Sequence, residues 1–314
     1  MKLHKPRLII VTAAILAVGL AMLGVWGVWA GAQETASVVM VWPVSGTTSP
    51  DLPQSSPYGP RQKASEDFRY DYHQGIDIPI PVGTTLVAVM TGTVRIAGQH
   101  PAYSDGVVQL AHEGGLYSDY LHITRSLVTT GQQVIPGQPV ALSGVNVSGF
   151  SHLHFEIRKS VWRKDAVNPW GYLPYSDTVR HTAVITDIRA DGVVWVRVST
   201  PPDELDLAAV ALTVTQMSDG TVMDTRIIDY EARNLAYNGA PATLDNPDLD
   251  NILLVPHPFS SQSSAYVVDI KFHSLRGLGA IRVDACAIDV RGNRVCDAKG
   301  GEFGRKVYLP LIVR

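Results

Sequence analysis

Four histidines and one aspartate fall into three short patterns whose residue types suit metal-assisted hydrolysis. His73 and Asp77 lie four residues apart in the segment HQGID, and if that segment is one extended strand, both side chains share a face. In the segment HLHFE, alternation places His152 and His154 on one face of a strand and the apolar residues next to them in the core. His122 closes the third pattern, YLH, at the end of a β-like run.

Two imidazoles and one carboxylate form a ligand set that suits zinc and leaves a fourth position for water. Further histidines beside such a site can transfer protons or stabilise an oxyanion. Each pattern alone is weak evidence, because a single His-x-His on a strand is more often structural than catalytic. All three patterns within one β-rich stretch are much stronger evidence for a catalytic zinc site.

Short strands are the elements that must position these residues. Between residues 75 and 157, brief apolar runs alternate with glycine-containing turns, and no long segment has helical periodicity. A second β-rich region follows a closing segment at residues 168–173. The predicted strands are 85–89, 93–97, 107–111 and 139–142 in the first region, and 192–198, 208–215, 265–272, 281–290 and 307–313 in the second. The polar residues 234–264 are predicted to form a long loop, and the second region to form a small β-sandwich, with the immunoglobulin type as one candidate.

The N-terminus has the pattern of an export segment. Lys2, Lys5 and Arg7 precede an apolar run over residues 8–30, and Ala30-Gly31-Ala32 offers a small-x-small cleavage site. The run is longer than a usual signal-peptide core, so residues 1–32 are predicted to be either a cleaved signal peptide or a membrane anchor through residues 8–30. Both alternatives predict an extracellular, cell-wall or membrane-anchored protein with its catalytic part outside.

Composition narrows the function classes. The chain has 314 residues, a length that predicts two domains, and a net charge of −3. This balance lacks the basic footprint of a nucleic-acid-binding protein, so nucleic acid is not an expected partner. Cys286 and Cys296 flank the turn signal Arg291-Gly292-Asn293. In an exported protein this spacing favours a disulfide across a hairpin over two free buried thiols.

The motifs, in this order, resemble those of the LytM-type or lysostaphin-type endopeptidases, which are zinc peptidases with an all-β fold, the duplicated hybrid motif. The similarity runs from about Trp42 to Leu173 and covers YGPR, HQGIDIPIPVGTTLVAVMTGTV, DYLHI, VTTGQQVIPGQPVALSG and HLHFEIR. The resemblance implies a peptidase domain over residues 33–180. Residues 181–314 are then an accessory β-sandwich domain to which no role is assigned.

The resemblance also implies the role of each candidate residue. The Zn²⁺ ligands are His73, Asp77 and His154, and the catalytic histidines that do not bind the metal tightly are His122 and His152. In the implied reaction, metal-activated water attacks a peptide carbonyl. One catalytic histidine accepts the proton and the other stabilises the oxyanion, and either order is open.

Three functions are compatible with this resemblance. The first is hydrolysis of cross-links or stem peptides of peptidoglycan, the second is regulation of another wall hydrolase by a metal-free relative, and the third is cleavage of glycine-rich proteins. The complete ligand set argues against the regulator. The oligomeric state is not indicated by any pattern.

Some residues near the motifs have open or purely structural interpretations. Glu156 shares the strand face of the two histidines and is interpreted as an exposed or hydrogen-bonded side chain. Tyr120 is predicted to pack in the core. The turn at residues 144–151, GVNVSGFS, is one residue shorter than in the family and contains Phe150, which places substrate preference in doubt rather than metal binding.

Overall fold

Apolar runs bounded by glycine turns form strands throughout the described part of the chain. A computed structural model of the protein describes residues 40–46, 54–63, 69–178, 180–232, 252–258 and 265–304. The predicted export segment, residues 1–32, and the predicted strand 307–313 lie outside the described residues. Within these ranges, we find no helix with the length and apolar character needed to cross a membrane.

Eleven of the described strands lie between residues 59 and 167. They are β1 (Gly59–Lys63), β2 (Arg69–His73), β3 (Ile76–Ile78), β4 (Thr85–Val87), β5 (Gly92–Gly98), β6 (Gly106–His112), β7 (Tyr117–Ser126), β8 (Gln133–Val134), β9 (Pro139–Val145), β10 (Ser151–Arg158) and β11 (Ala166–Val167). Short 3-10 turns occupy Glu113–Gly115, Arg163–Asp165 and Pro169–Gly171. The strands predicted in this region are all present, which confirms the expected all-β class.

Strand β10 is the centre of this first β region. It lies in a nine-stranded sheet of order β11-β10-β9-β7-β6-β5-β8, in which β3 also pairs with β10 and β4 pairs with β9, while β1 and β2 form a separate antiparallel pair. Along β10, Leu153, Phe155 and Ile157 are fully buried in the hydrophobic core. The alternate side chains therefore share the opposite face, as the sequence pattern predicts.

The segment from His73 to Asp77 differs from the single strand that the sequence predicts. β2 ends at His73, and β3 begins at Ile76. At the break, a Cβ on Gly75 would lie only 2.4 Å from the carbonyl oxygen of Phe155 in β10. The chain therefore bends past the β10 backbone, and the absence of a side chain permits the close approach.

Eight strands form the second β region. They are β12 (Thr182–Arg189), β13 (Val193–Thr200), β14 (Leu207–Gln216), β15 (Val222–Asp229), β16 (Ile252–Pro256), β17 (Tyr266–Phe272), β18 (Gly279–Asp289) and β19 (Arg294–Phe303). They form two four-stranded sheets, ordered β12-β13-β17-β16 and β15-β14-β18-β19. The predicted β-sandwich is thus confirmed, and the immunoglobulin type stays a prediction.

Two local predictions in the second region have clear outcomes. Cys286 and Cys296 face each other across β18 and β19 and form a disulfide, as predicted. The loop predicted over residues 234–264 is wrong at Ile252–Pro256, which forms β16 against β17. The alternating burial of β16 fits a strand, and its proline stands at the last residue, where the ladder ends.

Aromatic side chains connect the two β regions, which belong to one compact unit. The hydroxyl of Tyr72 donates to the carbonyl oxygen of Tyr230 at 2.5 Å, and the two rings pack edge to face. Trp42 packs edge to face on Trp170, and its indole N–H donates to the carbonyl oxygen of Pro174 at 2.8 Å. These contacts anchor the segment that leaves the first region and enters the second.

Candidate metal centre and active site

The pairing of β3 with β10 brings the predicted metal ligands together. Asp77 lies in β3 directly opposite His154 of β10 in the antiparallel register, and His73 ends β2 four residues earlier. All three side chains are buried. The register of β3 on β10 therefore converts two motifs 77 residues apart into one site.

The three predicted ligands converge through one atom each. His73 Nε2 lies 2.9 Å from His154 Nδ1 and 3.1 Å from Asp77 Oδ1, and His154 Nδ1 lies 2.8 Å from the same oxygen. The set has the composition and the spacing of a site that could hold a metal ion.

The outward nitrogen of each ligand histidine has an acceptor partner. His73 Nδ1 lies 2.7 Å from the carbonyl oxygen of Pro57, and His154 Nε2 lies 2.8 Å from Glu156 Oε1. A carbonyl and a carboxylate only accept, so we assign the ring protons to these outward nitrogens. The inward nitrogens then present lone pairs to each other and to Asp77, an arrangement that requires a cation or an added proton.

The electrostatics agree with this assignment. Burial, reinforced by the charge of Arg61, lowers the pKa of His73 to about 4, so this imidazole is neutral near pH 7. Burial would raise the pKa of Asp77, but His73 and His154 reverse that effect and hold it well below its usual range. For His154, burial lowers the pKa, and the hydrogen bonds to Asp77 and Glu156 more than offset it, so the pKa is raised. In the absence of a metal ion, His154 is thus the ligand that can bind a proton instead.

Buried charged residues lie next to the Nε2 atom of His154. Glu156 accepts from Arg158 Nε at 2.6 Å and from Arg163 Nε at 3.2 Å, and Arg158 is itself paired with Asp119 at 2.9 Å. Glu156, Arg158 and Asp119 are fully buried. Burial would raise the pKa of Glu156, but the two arginines lower it strongly, so the carboxylate stays charged. The sequence interpretation of Glu156 as a hydrogen-bonded side chain fits, although its buried partners were not predicted.

The two predicted catalytic histidines lie together beside the ligands. The ring centroids of His122 and His152 are 4.7 Å apart, and the His122 centroid is 5.9 Å from that of His154. His152 Nε2 lies 3.6 Å from Asp77 Oδ1. All five residues singled out by the sequence therefore face one point.

His122 has an unusual backbone and a specific partner. Its φ angle is +61°, in the left-handed region that non-glycine residues seldom adopt, and such strain is concentrated at functional sites. Its Nδ1 lies 2.7 Å from Asp105 Oδ2, in the turn between β5 and β6. Burial and the nearby His154 and His152 lower the pKa of His122 to about 4. Asp105 was not identified from the sequence, because 17 residues separate it from His122.

Arg61 is a second residue whose role was missed. Its guanidinium donates to Asp71 Oδ2 at 2.8 Å, to Ser56 Oγ at 3.0 Å and to Asp77 Oδ2 at 3.2 Å. Arg61 therefore holds the oxygen of Asp77 that does not face the histidines. Its place in the YGPR motif was the available signal.

The space around the site is shaped by two features. A cavity of about 800 Å³ has Gln74, Tyr103, Arg158, Trp162 and Arg163 among its lining residues, and none of the five predicted site residues lines it. Arg158 and Arg163 connect it to the site through Glu156. In the turn at residues 144–151, just before His152, Phe150 is 64% exposed. Tyr120 faces the core instead, and its hydroxyl accepts from the N–H of Val89 at 2.9 Å.

Comparison with known proteins gives the family of the domain that contains this site. Residues 71–169 match the model of Peptidase family M23. The chain therefore contains a peptidase domain of family M23, the family of the LytM-type and lysostaphin-type enzymes to which the sequence motifs are similar.

Named relatives match this chain over part of their length. The chain is 35% identical over 105 residues to the peptidoglycan DD-endopeptidase ShyA of Vibrio cholerae, covering 33% of this chain and 24% of that protein. It is 32% identical over 155 residues to the murein hydrolase activator NlpD of Salmonella dublin, covering 46% of this chain and 40% of that protein. A solved zinc-containing peptidase from Vibrio cholerae is 28% identical, with a TM-score of 0.33, over 40% of this chain and 37% of that one. The chain thus spans well under half the length of these curated relatives.

Proposed function

We propose that this protein is an exported zinc metalloendopeptidase that hydrolyses peptide bonds of peptidoglycan. The observation that carries the proposal is the convergence of His73 Nε2, Asp77 Oδ1 and His154 Nδ1 within about 3 Å of one another, with the other nitrogen of each histidine bonded outward. Three acceptors without a proton among them are a ligand set for a divalent cation, and one carboxylate with two imidazoles suits zinc. The matched peptidase family supports the reaction class.

A zinc ion held by His73, Asp77 and His154 would supply a Lewis acid that polarises a carbonyl and lowers the pKa of water. Arg61 keeps the second oxygen of Asp77 turned away from the histidines. Glu156 fixes the tautomer and ring orientation of His154. These residues therefore hold the ligand atoms in place without themselves entering the cleft.

His122 is the stronger candidate for the proton acceptor. Its Nδ1 proton is directed to Asp105, which leaves Nε2 with a lone pair. The lowered pKa keeps the ring neutral at pH 7 and therefore able to accept a proton from water. Once protonated, the imidazolium is stabilised by the Asp105 carboxylate and can return the proton to the leaving amine.

His152 is proposed to stabilise the oxyanion. Its Nδ1 lies 3.2 Å from the carbonyl oxygen of Phe150, which is a long hydrogen bond. Because that bond is weak, the ring can move its proton to Nε2, the nitrogen nearer to Asp77. In that tautomer His152 donates to the developing negative charge of the tetrahedral carbon's oxygen.

The substrate and location are supported by independent features. The cavity that Arg158 lines also has Arg95, Arg163 and Lys164 and the exposed ring of Trp162 in its wall, which suits a peptide that bears carboxylates. The named relative ShyA acts on peptidoglycan. Export is proposed from the apolar run at residues 8–30, and N-terminal sequencing of the protein from its native host tests whether that run is removed.

The direct test is zinc content and peptide release by the purified full chain on peptidoglycan. For the wild type we expect zinc at the site and new peptide termini. For His154→Ala we expect no zinc at this site and no new termini. His257→Ala, at a partly exposed histidine of the second β region, is the matched control and should retain both. Release of peptides by His154→Ala, or by chelated protein, would contradict the proposal.

A second candidate is a regulator of another wall hydrolase, which the similarity to the activator NlpD favours. The same assay separates the two functions. A chain that releases no peptides itself but increases the release of products by an added murein hydrolase from the same host would act as a regulator. Cleavage of a glycine-rich protein in place of peptidoglycan would retain the chemistry and change the substrate.

A further inference from the structure

A second group of potential metal ligands lies in the second β region, away from the site described above. His181 stands just before β12, Asp206 just before β14, and Asp289 at the last residue of β18. Each offers one ligand atom, and these atoms all lie within 4.8 Å of one another. The register that pairs Leu207 with Asp289 brings the two strands together at this point.

His181 is the residue that distinguishes this group from an ordinary acidic cluster. The side chain is only 5% exposed, and its Nε2 atom has no hydrogen-bond partner among the described residues. Nδ1 lies 3.1 Å from the hydroxyl of Thr200, and we assign the ring proton to this nitrogen. In this tautomer Nε2 directs a lone pair into the cluster, 2.9 Å from Asp206 Oδ1, so that two acceptors face each other in the protein interior.

Two buried carboxylates lie beside His181. Asp206 and Asp289 are almost fully buried, and Asp206 Oδ1 lies 2.9 Å from His181 Nε2, which carries no proton in this tautomer. Glu204 and Asp177 offer further carboxylate oxygens within 4.8 Å of an oxygen of Asp206. Buried carboxylates are strongly unfavourable unless paired or bound to a metal.

Hydrogen bonds already orient the carboxylates as they would around an ion. Asp206 Oδ2 accepts from the hydroxyl of Tyr175 at 2.6 Å, so Oδ1 is left facing His181. Asp289 Oδ1 accepts from the backbone N–H groups of Arg291 and Asn293. Hydrogen-bond partners of this kind fix the orientation of side chains that bind a metal.

We propose that His181, Asp206 and Asp289 form a second divalent-cation site, and that its ion is zinc. Imidazole and carboxylate together suit zinc, whereas calcium and magnesium take oxygen ligands alone. Ligand atoms around a tetrahedral zinc ion are about 3.3 Å apart, and the present separations need only small side-chain movements to reach that value.

The position of this site indicates a structural role. Tyr175, which donates to Asp206, packs edge to face on Trp170 with ring centroids 4.8 Å apart. Trp170 in turn packs on Trp42 of the first β region. An ion at Asp206 would therefore stabilise the segment that connects the two β regions, and this role does not depend on hydrolysis at the first site.

The test is the zinc content of the full-length protein and its variants after dialysis against chelator-free buffer. We expect about two zinc ions per chain for the wild type, and about one for His154→Ala and for His181→Gln. The double variant should hold about none. Asp289→Asn keeps the oxygen that accepts from Arg291 and Asn293 and should also lose one ion. Asp284→Asn, on the exposed face of the same strand, is the matched control and should keep both.

A second readout detects the site without reference to activity. In the His154→Ala background, chelation should lower the melting temperature, and added zinc should restore it. The same treatment should leave the His154→Ala, His181→Gln variant unchanged. One zinc ion in the wild type that His154→Ala removes completely would overturn the second site, as would a second equivalent filled by Ca²⁺ and not by Zn²⁺. Loss of peptide release with two bound zinc ions would instead count against the proposed function alone.

Discussion

His154 Nε2 lies 2.8 Å from Glu156 Oε1, so one strand provides both a proposed metal ligand and the carboxylate that orients it. The two residues stand two positions apart on β10 and therefore share a face. Arg158, two positions further along, pairs with the other oxygen of Glu156. The carboxylate is thereby held charged and in place, with one oxygen directed at the imidazole.

Replacing Glu156 with glutamine should weaken zinc binding at the first site. The amide keeps the shape of the side chain and loses the charge, so the Nδ1 lone pair of His154 becomes less basic and its ring less firmly oriented. Loss of such an outer partner typically weakens metal affinity ~10–100-fold. Competition with a chelating dye measures the effect, in the His181→Gln background so that only one site is counted.

Two comparisons make the Glu156→Gln result specific. Glu113→Gln removes an exposed carboxylate elsewhere in the same region and should leave zinc affinity unchanged. The buried Arg158 loses its main partner in Glu156→Gln, so a lower melting temperature is also expected. An unchanged zinc affinity in a folded Glu156→Gln protein would show that the contact does not orient His154.

The sequence alone predicted which side chains share a face of the strand, but not the contacts that hold them in place. Alternation in HLHFE is a local property, so the shared face of His152, His154 and Glu156 could be predicted. The contact of Arg163 with Glu156 could not, because Arg163 approaches from the loop after β10. Nor could the pairing of Arg158 with Asp119, which lies on the neighbouring strand β7. Such contacts depend on register, which local spacing does not reveal.

The same limit explains the errors in the fold. The break between β2 and β3 is caused by the backbone of Phe155, which is remote in sequence from Gly75. β16 was missed because its apolar residues are surrounded by a long polar stretch that is typical of a loop. Its pairing with β17 stabilises it as a strand, in agreement with the dependence of strand formation on neighbours.

Zinc affinity at the first site should fall as the pH is lowered from about 7.5 to about 5.5. The pKa of His154 is raised by Asp77 and Glu156, so its proton competes with the metal already above the ordinary imidazole value of about 6.5. The pKa of His73 is lowered to about 4, so His73 competes only in more acidic solution. We therefore expect release of about one proton per zinc ion near pH 6.

Calorimetric titration with zinc in buffers of different ionisation enthalpy measures this proton release directly. The His181→Gln background again restricts the titration to the first site. A release of about two protons at pH 6 would show that His73 is protonated in the metal-free protein. No release would show that His154 is neutral there, contrary to its raised pKa, and either result would contradict the expected release of one proton.

Replacing Asp105 with asparagine should slow hydrolysis and leave the metal in place. The neutral amide cannot stabilise the imidazolium of His122, so kcat should fall by roughly 10²-fold, within the range of general-base catalysis. His122→Ala should reduce kcat at least as much, and the double variant should add little, since the two residues act as a unit. Asp187→Asn, at an exposed position of β12, is the control. Unchanged kcat in Asp105→Asn would shift the role of base to His152.

The disulfide should contribute to stability without affecting catalysis. Cys286 and Cys296 are ten residues apart, and closing a loop of that length constrains the unfolded chain by about 2–3 kcal/mol. The double substitution to serine should lower the free energy of unfolding, measured with urea, by about that amount. Zinc content at the first site and peptide release at low temperature should stay at the wild-type level. A parallel loss of zinc would mean that the second β region supports the metal centre.

Replacing Gly75 with alanine should separate the proposed ligands by a purely steric route. The new Cβ would lie 2.4 Å from the carbonyl oxygen of Phe155, a distance that backbone atoms cannot accept, so β3 must move away from β10. Asp77 would then leave His154, and both zinc affinity and stability should fall, the latter by about 1–3 kcal/mol. Gly300→Ala on β19, where no atom lies within 4 Å of the added Cβ, should affect neither property. Equal zinc affinity in the two alanine variants would show that the pairing of β3 with β10 does not set the ligand geometry.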